Sequence, residues 1–113
     1  SPSRFVRAAF YQTTAPDSAT GFDAIIQAFH ILNSFDIPIG SQHPKDQIPK
    51  GMPSATQFTA ATDQTALKLY YRTAWNMNIR CIDLMNIDFA KVRYQSHPLD
   101  ATQVQPVEAV HVK

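Results

Sequence analysis

Apolar residues in the first third of the chain recur at helical spacing. Phe22, Ile25, Ile26, Phe29 and Leu32 keep to the i, i+3, i+4, i+7 rule, which predicts a helix over about residues 20–34. Thr20 and Asp23 stand at capping-box spacing at its start, and Asn33-Ser34 and Pro38 close it. Upstream, Ser1 suits a cap and Pro2 a first helical position. Phe5, Val6, Ala8, Ala9 and Phe10 then form a broad apolar surface on a helix of about residues 2–13, broken by the stretch from Gln12 to Ser18. The pattern lapses over about residues 38–55, where Pro38, Pro44, Pro49 and Pro53 with Gly40 and Gly51 describe an exposed loop. A loop that long inside a domain is uncommon and often functional.

Beyond the loop the period shortens from helical to two. Strands are expected at about 56–62, 66–73 and 79–84, joined by the short polar connections Asp63-Gln64 and Asn76-Met77-Asn78. In the middle strand Leu67, Leu69 and Tyr71 fall on one face and Lys68, Tyr70 and Arg72 on the other. The pattern also allows strands from Ile87 to Tyr94 and from Val107 to Val112, around a loop with Pro98 and Pro106. Two helices followed by an antiparallel meander make an α+β arrangement, with the helices on one face of the sheet. Apolar residues on both strand faces imply a sheet covered on both sides. Two helices and a tail are too little for that, so the 113 residues are expected to be a single segment of a larger layered domain.

Composition narrows the function classes. Ten Lys+Arg against nine Asp+Glu leave a formal charge of +1, without the basic excess of a dedicated nucleic-acid binder. Hydrophobic residues at 44% put the chain among globular rather than disordered sequences. Cys81 is the one cysteine, which excludes an internal disulfide, and no apolar run reaches membrane-spanning length.

Little in the spacing points to chemistry. His30, His43, His97 and His111 are widely separated and form no i, i+4 metal pair, so no zinc or iron site is visible. Asp83, Asp88 and Asp100 show no catalytic pairing, and three glycines make no phosphate loop. Cys81 in an apolar strand reads as a buried, inert thiol. Ser1 has the chemistry of an N-terminal nucleophile but fits a helix cap better. Arg4 is the anomaly. A cation in the first turn of a helix opposes the macrodipole, at a cost of about 0.3–1 kcal/mol when exposed. Arg4, Arg7 and Tyr11 share one stripe at i, i+3, i+7, where the arginines are either solvated or paired with acids elsewhere in the fold, or meet an anionic or polarised group.

Five blocks in order decide more than any single residue. They are Ser3-Arg4-Phe5-Val6-Arg7-Ala8-Ala9-Phe10, Phe29-His30-Ile31-Leu32-Asn33, Thr56-Gln57-Phe58-Thr59, Tyr70-Tyr71-Arg72-Thr73 and Asn78-Ile79-Arg80-Cys81-Ile82-Asp83-Leu84. Together they resemble the C-terminal part of the choloylglycine hydrolase family, which includes bile salt hydrolases and penicillin V acylases. The resemblance implies a segment of an αββα N-terminal-nucleophile hydrolase sandwich that cleaves linear amide bonds without a cofactor. In that family a processed N-terminal cysteine attacks and its own α-amine is the base. The arginine of the Ser-Arg-Phe block belongs to the active site and matches Arg4. The nucleophile and the family's active-site asparagines match nothing here and are expected in an N-terminal part of the same hydrolase, so this segment alone is expected to be inactive. Cys81 matches a strand position, not the nucleophile. The implied substrates are small amides such as penicillin V or glycine- or taurine-conjugated bile acids, or N-acyl homoserine lactones, with the helix blocks closer to Gram-negative penicillin V acylases. The resemblance further implies a bacterial homo-oligomer, with the compartment, cytoplasmic or periplasmic, left open. Charge balance and the lack of a long apolar run lead to the expectation of no nucleic acid and no membrane insertion. The alternative is a non-catalytic assembly or interaction domain derived from the same fold.

Overall fold

A computed structural model describes residues 2–48, 50–51 and 54–113. Ser1, Pro49 and Pro53, read above as a cap and as parts of the loop, lie outside the described residues. Two helices, α1 (Pro2–Thr14) and α2 (Gly21–Asn33), precede the strands β1 (Phe58–Asp63), β2 (Lys68–Thr73) and β3 (Arg80–Asp83). The strands form an antiparallel sheet in the order β1-β2-β3. This is the expected α+β arrangement of two helices and a meander.

The start of α2 follows from its capping residues. The Thr20 hydroxyl accepts the Asp23 N–H at 3.1 Å and donates to the Asp23 carboxylate at 2.8 Å. Thr20 so binds the first turn from both sides of its hydroxyl. At the other end the chain is carried out by single-turn bonds, Ser34 N–H to Ile31 O and Phe35 N–H to Leu32 O.

Register assigns the faces of the sheet. Ala61 pairs with Tyr70 and Tyr70 with Cys81, so these share a face with Thr59, Asp63, Lys68, Arg72 and Asp83. α2 lies on that face, and Ile25, Phe29 and Tyr70 make the core with Ala61 against it. They are 6%, 3% and 9% exposed, and α1 contributes no buried residue. The expectation that both helices cover the sheet is therefore corrected: α1 leans on the exit of α2 instead. The opposite face carries Phe58, Leu69, Tyr71, Thr73, Arg80 and Ile82, of which Phe58 and Ile82 are exposed. The tail around Leu99 and Asp100 crosses it, bonded to Tyr71 and Arg80. Coverage on both sides is thus absent among the described residues, because β1 and β3 are edge strands with a single helix above them.

The long loop is closed at its neck. Ile37 and Thr56 exchange two hydrogen bonds, at 2.9 and 3.1 Å, and Gly40 N–H reaches Ser54 O at 3.3 Å. Gly40 sits at φ 88°, a conformation that glycine adopts freely. The β1–β2 connection turns on Asp63, whose carboxylate takes the N–H groups of Thr65 and Ala66 at 3.0 and 2.9 Å. The chain re-enters β2 through Leu67 at φ 55°.

After β3 the sequence expectation fails. Asp83 takes the Met85 N–H and caps a short 3-10 turn, Leu84–Asn86, so the strand stops one residue early. Residues 87–94 hold a turn, with the Ala90 N–H on the Asp88 carboxylate and the Lys91 and Val92 N–H groups on the Asp88 carbonyl, rather than a strand. Residues 107–112 are irregular too, with Val107, Val110 and Val112 exposed. Among the described residues neither segment joins the ladder of the sheet, whose strands are β1, β2 and β3.

The accessible surface is 9,326 Å². A compact monomer of 12.7 kDa exposes about 6,200 Å². The radius of gyration tells the same story, 17.3 Å against about 13 Å for a compact chain of this length.

Candidate active site

Arg4 and Arg7 lie one turn apart on α1 and reach the exit of α2 together. Arg4 donates from Nη2 to the Phe35 carbonyl at 3.3 Å, and Arg7 from Nη1 to the Ser34 carbonyl at 3.2 Å. Both guanidinium groups also stand over the Phe35 ring, 5.6 and 5.1 Å from its centre. This resolves the electrostatic anomaly of a cationic first turn. The C-terminal carbonyls of a helix carry partial negative charge and lack intrahelical donors. The cations that α1 disfavours at its own start are those that α2 favours at its end. The Phe35 ring lies beneath two like charges that would otherwise repel each other. The protein partners of the two arginines in this chain are carbonyls and the Phe35 ring rather than acids. Tyr11 sits further along α1 with its ring against Phe10.

A cleft of about 230 Å³ opens immediately past Phe35 in the chain. Asp36 and Ile37 form one wall, and Thr56, Phe58 and Arg72 belong to the facing sheet and loop neck. Arg72 stacks on Phe29 at 5.6 Å. The cleft is lined by charged groups of both signs, Asp36 and Arg72, and neither Arg4 nor Phe35 is among its lining residues.

A second polar cluster joins the sheet to the tail. Arg80 binds the carboxylate of Asp100 and the Leu99 carbonyl, reaches the Thr73 hydroxyl at 3.3 Å, and stacks on Tyr71 at 4.6 Å. A hydrogen bond from Thr73 is the largest influence on the Asp100 carboxyl; burial opposes it, and the hydrogen bond and charge of Arg80 add to it, leaving the carboxyl below its ordinary range. Gln105 accepts the Met77 N–H at 2.6 Å and donates to Asn78 at 3.2 Å, which fixes the tail over the β2–β3 turn.

With this geometry in view the comparison with known families is decisive. The model of the linear amide C–N hydrolases, choloylglycine hydrolase family, matches residues 1–103 of the 113. The chain belongs to that family. No match was found among curated proteins.

In this choloylglycine hydrolase chain the remaining sequence candidates stay apart. Ser1 lies outside the described residues. His30 is exposed, and His97 meets the neighbouring Gln95 at 2.7 Å. Asp83 pairs loosely with Lys68 at 3.8 Å and Asp88 with Lys91 at 3.0 Å, both near the surface. Among the described residues no three His, Cys, Asp or Glu side chains gather as a metal site. Cys81 corrects an expectation: it is exposed, because β3 is an edge strand beyond the reach of α2. It lies beside Tyr70, whose phenol is pushed up by burial first and by Cys81 second. No described helix is long and apolar enough to cross a membrane.

Sequence reasoning missed Phe35 and the Arg80–Asp100 pair. Phe35 falls outside the apolar stripe of α2, so no periodicity marks it. Arg80 and Asp100 are twenty residues apart, and no local spacing predicts their meeting.

Proposed function

We propose that this chain is the C-terminal part of a cysteine-nucleophile amide hydrolase and that Arg4 is its contribution to the active site. The observation that carries the reading is the family match over residues 1–103, which spans the Ser-Arg-Phe block. The position of Arg4 fits the role. Among the described residues its guanidinium makes one hydrogen bond, to Phe35, so most of its five N–H donors can face a reacting group.

The chemistry is acyl transfer. The cysteine thiol, supplied by the preceding part of the hydrolase, gives its proton to the α-amine as sulfur attacks the amide carbon. A tetrahedral oxyanion forms and collapses to a thioester, and the leaving amine takes the proton. Water then hydrolyses the thioester to the acid and restores the thiol. A fixed guanidinium beside that centre favours the thiolate and steadies the polarised carbonyl. Substrates are small amides, with penicillin V preferred over conjugated bile acids and N-acyl homoserine lactones.

The test is Arg4→Ala in the full-length hydrolase. Turnover should fall by about 10²–10³-fold, the scale of losing one oxyanion-stabilising donor, with the melting temperature little changed. Wild-type turnover in that variant would sink the assignment.

The second reading, a non-catalytic assembly domain, draws on the surplus surface and on exposed Phe58 and Ile82. An intact-mass spectrum of the material, read with a penicillin V assay on the same sample, separates the two. A larger chain or a companion fragment beginning with cysteine, together with hydrolysis, favours the enzyme. A 12.7 kDa species alone, without hydrolysis, favours the assembly domain.

A further inference from the structure

We infer that Phe35 is the positioning residue for Arg4, an inference that rests on the reading of Arg4 as an active-site group. Three observations converge on it. The Arg4 guanidinium is bound by Phe35 twice, through the carbonyl at 3.3 Å and through the ring at 5.6 Å. The same ring carries Arg7 at 5.1 Å, and Arg7 is tied to the adjacent Ser34 carbonyl. Within this chain α1 has no buried residue, and the contacts of Arg4 and Arg7 with Ser34 and Phe35 are what tie its first two turns to α2. A guanidinium on a flexible stem takes its direction from whatever its planar head meets.

Phe35 is well placed for this because its own backbone is set by α2. Its N–H is bonded to Leu32 O, and Asp36 N–H to Asn33 O follows at once. The position of the ring is thus inherited from the one helix that packs on the sheet. Arg7 completes the device. By occupying the neighbouring carbonyl and sharing the ring, it leaves Arg4 a single well-defined seat. Phe35 touches no reacting atom in this scheme; it acts through Arg4.

The experiment replaces Phe35 in the full-length hydrolase with mono-, di- and pentafluorinated phenylalanine. These keep the shape of the ring and progressively withdraw the electron density that attracts a cation. Hydrolysis is followed on penicillin V, a glycine-conjugated bile acid and an N-acyl homoserine lactone. Along the series kcat should fall stepwise, by about 3- to 30-fold in total if the cation–π contact sets the productive orientation, while KM and the melting temperature hold. In an Arg4→Ala background the same series should leave the residual rate flat. A constant kcat across the series in the wild-type background, with Arg4→Ala inactive, overturns the inference and leaves the reading of Arg4 intact. So does an equal fall in both backgrounds, because Phe35 would then act without Arg4. Full activity of Arg4→Ala overturns the reading of Arg4 itself, and the inference with it.

Discussion

Leu67 enters β2 with φ at 55°, the left-handed region, where a Cβ crowds the following carbonyl. That conformation costs an L-residue about 1–2 kcal/mol. Substituting glycine removes the strain but also removes the side chain and frees the unfolded chain, so a comparison with leucine mixes three effects. The clean contrast is Leu67→Gly against Leu67→Ala. Both variants lose the same side chain beyond Cβ, and Leu67 is 44% exposed, so the lost burial is modest and common to the two. At an ordinary position glycine is the less stable by about 0.5–1 kcal/mol. Here relief of about 1–2 kcal/mol opposes that term, so Leu67→Gly should exceed Leu67→Ala in stability, by up to about 1.5 kcal/mol and by about 0.75 kcal/mol at the middle of both ranges. Urea denaturation measures it as a difference in midpoint at equal m. Alanine equal to or more stable than glycine would refute the argument, since it would mean that the turn bonds from Asp63 do not hold Leu67 in the left-handed region.

Two further predictions concern contacts between distant segments. In Gly21→Ala the new Cβ would stand 2.8 Å from the Asp63 carboxylate, whose other oxygen is committed to Thr65 and Ala66. The loss of those turn bonds, about 1 kcal/mol each, outweighs the helix-propensity gain of at most about 1 kcal/mol, so the variant should be destabilised, and the effect should vanish in an Asp63→Ser background. For Asp100 the folded carboxyl titrates lower than in the unfolded chain, so its stabilisation is present above the ordinary carboxylate range near pH ~3.9 and fades as pH falls through the folded value. Hydrogen exchange of the β2–β3 turn and of residues 99–105 should show protection lost at acid pH, and Asp100→Asn should show that loss already at neutral pH; unchanged protection in both cases would count against the clasp.

What the sequence disclosed and what it hid divide along physical lines. Strong local patterns were legible. The spacing of Ile25 and Phe29, the Thr20–Asp23 cap and the alternation through Leu69, Tyr70 and Tyr71 each follow from neighbours within a turn or a pleat. Contacts made across distance were not. The tail reads as β-compatible through Val107, Val110 and Val112, yet a strand needs an edge to pair with, and sequence does not say whether one is near. Cys81 has apolar neighbours in sequence, but its burial depends on how far α2 extends over the sheet. In the candidate site Arg4 stood out for its position in a helix start and for the family motif. Its seat on Phe35 did not, because Phe35 is an aromatic just past a helix end with no pattern around it.

The small core joined to a large surface has a thermodynamic consequence. Heat-capacity change and m-value both scale with the area that folding removes from water, and here three buried apolar side chains supply little of it. Transitions of this chain by itself would be broad, with α1, the sheet and the tail responding to heat or urea at different points, because no shared interior couples them. Cooperativity would have to be supplied from outside, by whatever surface closes over Phe58 and Ile82 and turns several weakly linked parts into one melting unit.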